Sequence, residues 1–471
     1  MAPEFEDSIR SDSKFGGSTV REMRIGIVPW PERADGGIYQ YSLMMLNALR
    51  EWKANGCVDD FVVFADRGLR NSAEVFSNGP GWKIQSLLPN NKLSLPRNIA
   101  RRILGNGVPM RVLRSLRTRL QRQHITSFEK TGPLDTIQFH PRMSRWFRQC
   151  GAELMLYSAP QRLSFEVNIP YVMAIHDLQH RLQPEFPEVS SNGEWEAREY
   201  LFRNAARYAT ILLADSEVGK EDILNFYGCY GIEPEQIKVL PFLPSGYLFK
   251  PHDEDERQRI RQIYKLPQAY LFYPAQFWPH KNHRRIVEAL GELKRRYDLK
   301  IPIVFCGSHT GDIREHTFAE VMSVASQMGL DQEVWYLGYI PDKHMSVLYS
   351  DAVALIMPTF FGPTNIPILE AWSLNCPVLT SDIRGVREQA GKAAVLVNPG
   401  SVESIADGIY KLWTDKALRL SLIKSGRERL ADFTSDDFRQ RLISIVEEAK
   451  MRVILKRQEP VQQSPVRSEQ W

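Results

Sequence analysis

The chain has few cysteines, no long apolar run and almost no net charge, and each scarcity removes a class of protein. Five cysteines (Cys57, Cys150, Cys229, Cys306 and Cys376) are spread over 471 residues. None belongs to a CxxC pair or to a Cys/His cluster with zinc spacing, which argues against a zinc site. The odd count and wide spacing suit reduced, mostly buried thiols in a cytosolic protein. No stretch approaches the ~20 apolar residues of a membrane span. The N-terminal segment is polar and acidic, with Glu4, Glu6 and Asp7, and lacks the basic-then-apolar layout of a signal peptide. A cytoplasmic protein is expected, with any membrane contact peripheral. A formal charge of only +4 creates no general field for nucleic acid, so no nucleic-acid partner is expected and any basic character that matters is local.

What is present is ordinary globular material: 43% hydrophobic and 25% charged residues, in a chain too long for one core and about right for two. Residues 1–22 read as a flexible leader and residues 457–471 as a flexible polar tail. Between them, short apolar runs alternate with amphipathic helical patterns. Strands are expected at Arg24–Val28, Phe61–Phe64, Glu153–Tyr157, Tyr171–Ile175 and Thr210–Ala214, and then at Tyr270–Tyr273, Pro302–Phe305, Val334–Leu337, Ala352–Ile356, Pro377–Thr380 and Ala394–Val397. Short continuous strands separated by helices imply parallel sheets covered on both faces. Pro241, Pro244, Gly246 and Pro251 punctuate a linker between the two series. The expected fold is α/β: two doubly wound, Rossmann-like domains facing each other across a cleft. The first spans 23–245, the second 246–430, and a helix over 431–456 packs back toward the first. In such sheets ligands bind at the carboxyl ends of the strands.

Several candidate residues fall at those ends. Asp35-Gly36-Gly37 precedes an amphipathic helix. Two glycines there either let backbone N–H groups approach an anion at the helix N-terminus or simply make a turn. His176 and Asp177 follow an apolar run directly, so the histidine either meets a ligand hydroxyl or bonds to backbone. His180 is a weaker candidate. Ser216 reads as a helix N-cap, which is sufficient explanation for it and for Glu217. In YPAQFWPHKNH the loop after the strand carries Gln276, His280, Lys281, Asn282 and His283. A lysine at a helix N-terminus is well placed to neutralise phosphates. The two histidines are not at i, i+4 and have no adjoining acid, so no metal site is expected.

The segment ALIMPTFFGPTNIPILEAWSLN is the most informative. A buried strand ends at Pro358, and a loop containing Gly362, Pro363, Thr364 and Asn365 leads into a helix at Ile366. Backbone N–H groups at such a junction make an anion cradle. Glu370, an acceptor when ionised, suits vicinal hydroxyls such as those of ribose. Its alternative role is helix-dipole stabilisation, but its apolar neighbours (Ile368, Leu369, Ala371, Trp372) are not those of a solvated face.

HKN at 280–282, LGYIPD at 337–342, NIPILEA at 365–371 and DIRGVREQAG at 382–391 resemble the GT4 family of retaining glycosyltransferases, which includes bacterial mannosyltransferases and O-antigen or capsule enzymes. The resemblance covers most of Arg24 to Leu430 and is most specific over Tyr270–Pro399. It implies the GT-B fold and a hexosyltransferase moving a sugar from a nucleotide-diphosphate donor, GDP-mannose first by family frequency, to a glycan or lipid-linked acceptor. It also implies retention of anomeric configuration without a metal ion and without a cofactor, the nucleotide sugar being a co-substrate. By the same resemblance, Glu370 looks like the second glutamate of the E-x7-E motif that holds the donor ribose. Lys281 looks like the lysine on the donor diphosphate, His176 like the histidine near the reacting sugar, and Gly37 like the first-domain glycine near the phosphates. Two positions depart from the pattern. Gly362 stands where the first motif glutamate would be, and Gln276 replaces an arginine five residues before Lys281. The expected catalytic set is His176, Lys281 and Glu370. The expected donor-binding set is Gly36, Gly37, Gln276, Lys281, Asn282, Gly362, Pro363, Thr364, Asn365, Ile366 and Glu370.

Transfer needs a diphosphate to leave while positive charge builds at the anomeric carbon. Lys281 and the backbone of Phe361–Asn365 suit that neutralisation without metal. Asp253-Glu254-Asp255 has an ordinary place in a helix's first turn. The stretch 92–122 holds nine Lys/Arg and no acid, with Val112, Leu113, Leu116 and Leu120 at helical spacing. It either lies on an anionic membrane face, presenting a lipid-linked acceptor, or packs its leucines on the first domain. Two rival functions share the cleft: a GT-B-fold nucleotide-sugar epimerase, and a non-catalytic nucleotide-sugar-binding subunit.

Overall fold

The structure, a computed structural model, describes residues 22–31, 36–65, 76–89, 136–249 and 253–458. The basic stretch 92–122, Asp35 and nearly all of the chain ends read above as leader and tail lie outside the described residues; the last helix runs on through Arg457 and Gln458, into the stretch read as tail.

Seven parallel strands form the first sheet: β1 (Arg24–Val28), β2 (Asp60–Phe64), β3 (Trp82–Gln85), β4 (Leu154–Tyr157), β5 (Tyr171–Ala174), β6 (Ile211–Ala214) and β7 (Ile237–Val239). Their order is β3-β2-β1-β4-β5-β6-β7. The second sheet has six: β8 (Leu271–Pro274), β9 (Ile303–Cys306), β10 (Val334–Tyr336), β11 (Ala354–Met357), β12 (Val378–Ser381) and β13 (Val395–Val397). Their order is β10-β9-β8-β11-β12-β13. Both orders reverse once, between β1 and β4 and between β8 and β11. These reversals place a crevice at the carboxyl ends of the central strands.

All eleven expected strands are found, within two residues at each end. Two more, β3 and β7, were not expected from the sequence. Each is a short edge strand with only its first residue buried, so neither has the continuous apolar run that marks β4, β5 and β6. β7 also extends into the proline-marked segment read as linker.

Alternate residues of the first sheet serve different cores, as the period of a strand requires. Ile25, Ile27, Phe61 and Val63 belong to an apolar cluster that continues through Leu240 and Phe438 to Phe305 and Ile356 of the second sheet. Val28, Val62 and Phe64 pack on the other face with Phe147, Tyr200 and Tyr227. The last helix, Ser435–Gln458, starts where Thr434 Oγ1 accepts the Asp437 N–H at 3.1 Å and then lies on the first domain. There the Lys450 ammonium is buried against Asp59, whose other oxygen accepts the Met23 N–H at 2.8 Å. A buried charge so paired fixes the helix in one register, and removing either partner would strand the other.

Candidate active site

The cleft between the sheets is closed by side chains from both halves. Gln183 Nε2 donates to the Phe360 carbonyl at 2.8 Å, and Arg384 pairs with Asp222 and Glu221, both at 2.6 Å. His280 Nδ1 meets Glu188 at 2.6 Å. Between these contacts lies a cavity of about 190 Å³, bordered by Ile175, His176, Asp177, Gly219, Phe361, Gly362 and Pro363 among others. It therefore opens at the carboxyl ends of β5, β6 and β11.

The loop after β8 and the loop after β11 are joined directly. The His280 carbonyl accepts the Phe360 N–H at 2.8 Å and the Thr359 hydroxyl at 3.1 Å. Asn282, with φ of 63°, turns the chain into the His283–Tyr297 helix. Its amide donates to the carbonyls of Pro358 at 2.8 Å and Pro399 at 2.9 Å. Asn282 is thus a clamp between loops, with its amide hydrogens committed.

Lys281 is partly exposed at this junction. Burial lowers its pKa to about 8, against the pull of Asp177 and Glu188. The neighbouring imidazole of His280 is held neutral by burial and by Lys281, its pKa lowered to about 4. His283 points inward, stacked on Phe277 with centroids 4.2 Å apart, so it belongs to the core.

The Gly362 loop has the form of a cradle. Gly362 has φ of 135°, and a Cβ there would fall 2.7 Å from Asn365 Oδ1. A glutamate does not fit this conformation, so the departure at 362 is built into the loop. The Asn365 amide closes the loop onto the Gly362 carbonyl at 3.2 Å, and Gln389 brackets the Asn365 backbone at 2.8 and 3.0 Å. Among the described residues, the N–H groups of Gly362, Thr364 and Ile366 have no backbone acceptor. The Ile366–Ser373 helix starts without a side-chain cap, leaving its N-terminal field unopposed. From the first domain Gly37 approaches this end, where a Cβ on it would lie 3.2 Å from Ile366 Cδ1, whereas a Cβ on Gly36 (φ 47°) would meet open space. A side chain on Gly37 would require the Ile366 side chain to give way.

Glu370 is 5% exposed. One oxygen accepts the Ser245 hydroxyl at 2.5 Å and the other the Tyr349 hydroxyl at 2.7 Å. His176 donates from Nε2 to the Ser158 carbonyl at 2.9 Å and stacks against Phe242. Burial lowers its pKa, so the ring is neutral with Nδ1 as acceptor. His180 lies away from this junction, buried with Glu199 at 3.0 Å and Tyr227 at 2.9 Å in the first domain's core. Gln276 Oε1 accepts from Arg314 at 2.6 Å and from the Trp278 indole at 3.0 Å. Arg314 stacks over Trp278, so Gln276 receives a guanidinium from the Asp312–Gln327 helix. Asp253 caps its own helix by accepting the Glu256 N–H at 2.7 Å.

Sequence reasoning missed Asp215, Gln183, Glu188, Arg384 and Ser245. Asp215 had a signal, since it directly follows a strand just before an N-cap. The others sit in helices and loops whose pairing across the cleft has no local mark.

Comparison with known proteins agrees with this architecture. Residues 246–429 match the model of the family described as glycosyl transferases group 1. The O-antigen chain mannosyltransferase B of Escherichia coli is 25% identical over 256 residues, covering 51% of this chain and 64% of that protein. A D-inositol 3-phosphate glycosyltransferase of Corynebacterium glutamicum (strain R) is 20% identical over 271 residues, covering 56% of this chain and 63% of that one. The chain thus spans somewhat less than two thirds of the length of these relatives. Among solved structures, Anabaena Alr3699/HepE, determined in complex with UDP and glucose, superposes with a TM-score of 0.62 at 15% identity, over 90% of this chain and 99% of that one. The two sheets are those of the GT-B fold, and the second of them lies within the residues that match the glycosyl transferases group 1 model.

Proposed function

We propose that the protein is a hexosyltransferase that takes a sugar from a nucleoside-diphosphate donor and passes it to a glycan or lipid-linked acceptor. The observation that carries this reading is the junction of two loops, one of which, through Phe360–Pro363, borders the cavity. Lys281 and the uncapped helix start at Ile366 bring positive potential to one end of the cleft, and the His280 carbonyl ties their loops together. A diphosphate leaving group needs that potential as the glycosidic bond to it breaks. A partly exposed lysine and fixed backbone dipoles supply it without a bound ion, so no metal enters the scheme.

In this reading Lys281 neutralises the departing phosphate, and the Gly362, Thr364 and Ile366 N–H groups cradle it. Glu370, an acceptor when ionised, takes the ribose hydroxyls. Gly36 and Gly37 let the first domain close over the phosphates. His176 presents Nδ1 to a hydroxyl of the transferred sugar. This reading assigns no covalent nucleophile among the described residues, and the donor phosphate takes the acceptor proton on the face it leaves, with retention. Closure by Gln183 and Arg384 excludes water from the intermediate stage. GDP-mannose is the proposed donor, since the O-antigen enzyme of similar sequence is named a mannosyltransferase. The basic stretch 92–122 is proposed to bring the protein to anionic lipid where a lipid-linked acceptor resides. Flotation with and without anionic vesicles tests that part, and equal partition contradicts it.

The test of the whole reading is a panel of nucleotide sugars assayed for hydrolysis and transfer. Turnover with one donor supports it. An isomerised sugar would make the protein an epimerase, and binding without turnover would make it a binding subunit.

A further inference from the structure

Asp215 directly follows β6 and is 3% exposed. Its Oδ2 receives the hydroxyl of Thr364 from the opposite domain, and its Oδ1 the Ser216 hydroxyl at 3.3 Å. The groups that face it from the surrounding elements are few. Tyr41 comes from the Gly37–Ala54 helix, Asp177 from the loop after β5, and Thr364 from the glycine loop. Asp177 is itself paired with Arg198 at 3.0 Å, and Arg198 also binds Glu194 at 3.1 Å. No ion pair neutralises Asp215 among the described residues. A carboxyl so buried, beside a second carboxyl and without a cation, favours its neutral form; burial and Asp177 raise its pKa from 3.8 to about 7.

The hydrogen-bond arithmetic at Thr364 then depends on one proton. A threonine hydroxyl has a single hydrogen. When Asp215 is ionised, that hydrogen is spent on the carboxylate, and Thr364 turns lone pairs toward the cradle. When Asp215 is protonated, its O–H donates to Thr364 Oγ1. The threonine hydrogen is then released toward an anion held by the Gly362, Thr364 and Ile366 N–H groups. Ionised Asp215 would also repel the same anion through space.

We propose that Asp215 is a positioning residue of the anion cradle, and that binding of a nucleoside diphosphate is coupled to uptake of one proton from solvent onto Asp215, relayed to the ligand by Thr364. This rests on the reading of the cradle as a diphosphate site.

The experiment is isothermal titration of GDP and of UDP into the full chain between pH 6 and 8, in buffers of different ionisation heat. Wild type should take up about three quarters of a proton more than Asp215→Asn at pH 7.5, since a group titrating near 7 is already partly protonated there. Its affinity should fall by up to tenfold per pH unit above 7, because one proton enters the equilibrium. Asp215→Asn, whose amide donates permanently to Thr364, should bind with a flatter pH profile. Asp215→Ala should bind weakly at every pH, which separates proton coupling from a merely structural role. Thr364→Val should lose the Asp215-linked proton while its circular dichroism stays that of wild type. The same proton number and pH slope in wild type and Asp215→Asn would overturn the proposal and leave the diphosphate site standing. Binding of neither nucleotide by wild type would overturn both.

Discussion

The hydroxyl of Ser245 donates to Glu370 Oε1 at 2.5 Å, so the segment joining the two sheets is bonded to the helix that follows the glycine loop. Tyr349 holds the other oxygen at 2.7 Å. Glu370→Ala should leave two buried hydroxyls without their acceptor and lower stability by roughly 3 kcal/mol. Glu370→Gln keeps an acceptor for one of them and should cost about 1 kcal/mol, yet weaken nucleoside-diphosphate binding about tenfold through loss of charge toward ribose. Chemical denaturation together with titration calorimetry separates the two effects. Full affinity in Glu370→Gln would remove ribose recognition from this residue.

Gly362 sits at φ 135° with Asn365 Oδ1 only 2.7 Å from where a Cβ would be. Gly362→Glu should therefore distort the loop, at about 1–3 kcal/mol of backbone strain, and reduce transfer rather than enhance it. Thermal unfolding and donor turnover check this. A variant with raised activity and unchanged Tm would show that the loop accepts a carboxylate there.

Arg384 spans the cleft to Asp222 and Glu221, at 2.6 Å each, and is about half exposed. Exposed pairs of this kind contribute at most about 1 kcal/mol to stability. Arg384→Ala should leave the unfolding midpoint nearly unchanged but widen the distribution of domain separations seen by small-angle scattering, and raise KM more than it lowers kcat. Scattering identical to wild type, with KM unaltered, would mean that the pairs do not govern closure.

The titrations of Lys281 and Asp215 have opposite signs for stability. Asp215 is raised to about 7, so between pH 4 and 7 the folded state holds a proton that the unfolded state has lost, and stability falls as pH rises through that window. Asp215→Asn should remove this decline, gaining on wild type as pH rises to 7. Lys281 is lowered to about 8. Above that pH the folded state has lost a proton the unfolded chain retains up to its ordinary value near 10.5, so this group's share of stability rises with pH there. Donor binding should nevertheless weaken above pH 8, because the ammonium it needs is gone. Thermal unfolding and affinity measured across pH 5–10 in wild type, Asp215→Asn and Lys281→Met resolve the two contributions.

The strands of both central sheet regions were legible because a strand buried on both faces must be apolar at every position, as in Ile211–Ala214. β3, with Lys83 exposed and Ile84 and Gln85 half-buried, is an edge strand and carries no such mark. The glycine loop and the lysine loop were legible because phosphate chemistry needs Gly and Lys at helix starts. Their bond through the His280 carbonyl was not, since a backbone contact between residues 80 positions apart has no sequence signature. Asn282 could be read as a ligand donor from its position, but the structure spends its amide on Pro358 and Pro399. Asp215 looked like nothing more than the residue before a cap, and only the fold sets it against Thr364.

The central claim is that Lys281 and the Gly362–Ile366 backbone grip one diphosphate. Titration of GDP and UDP into wild type and Lys281→Ala at pH 7, with circular dichroism confirming the fold of both, tests it most directly. Lys281→Ala should lose at least tenfold in affinity for the preferred nucleotide. Equal affinity in the two proteins would contradict it.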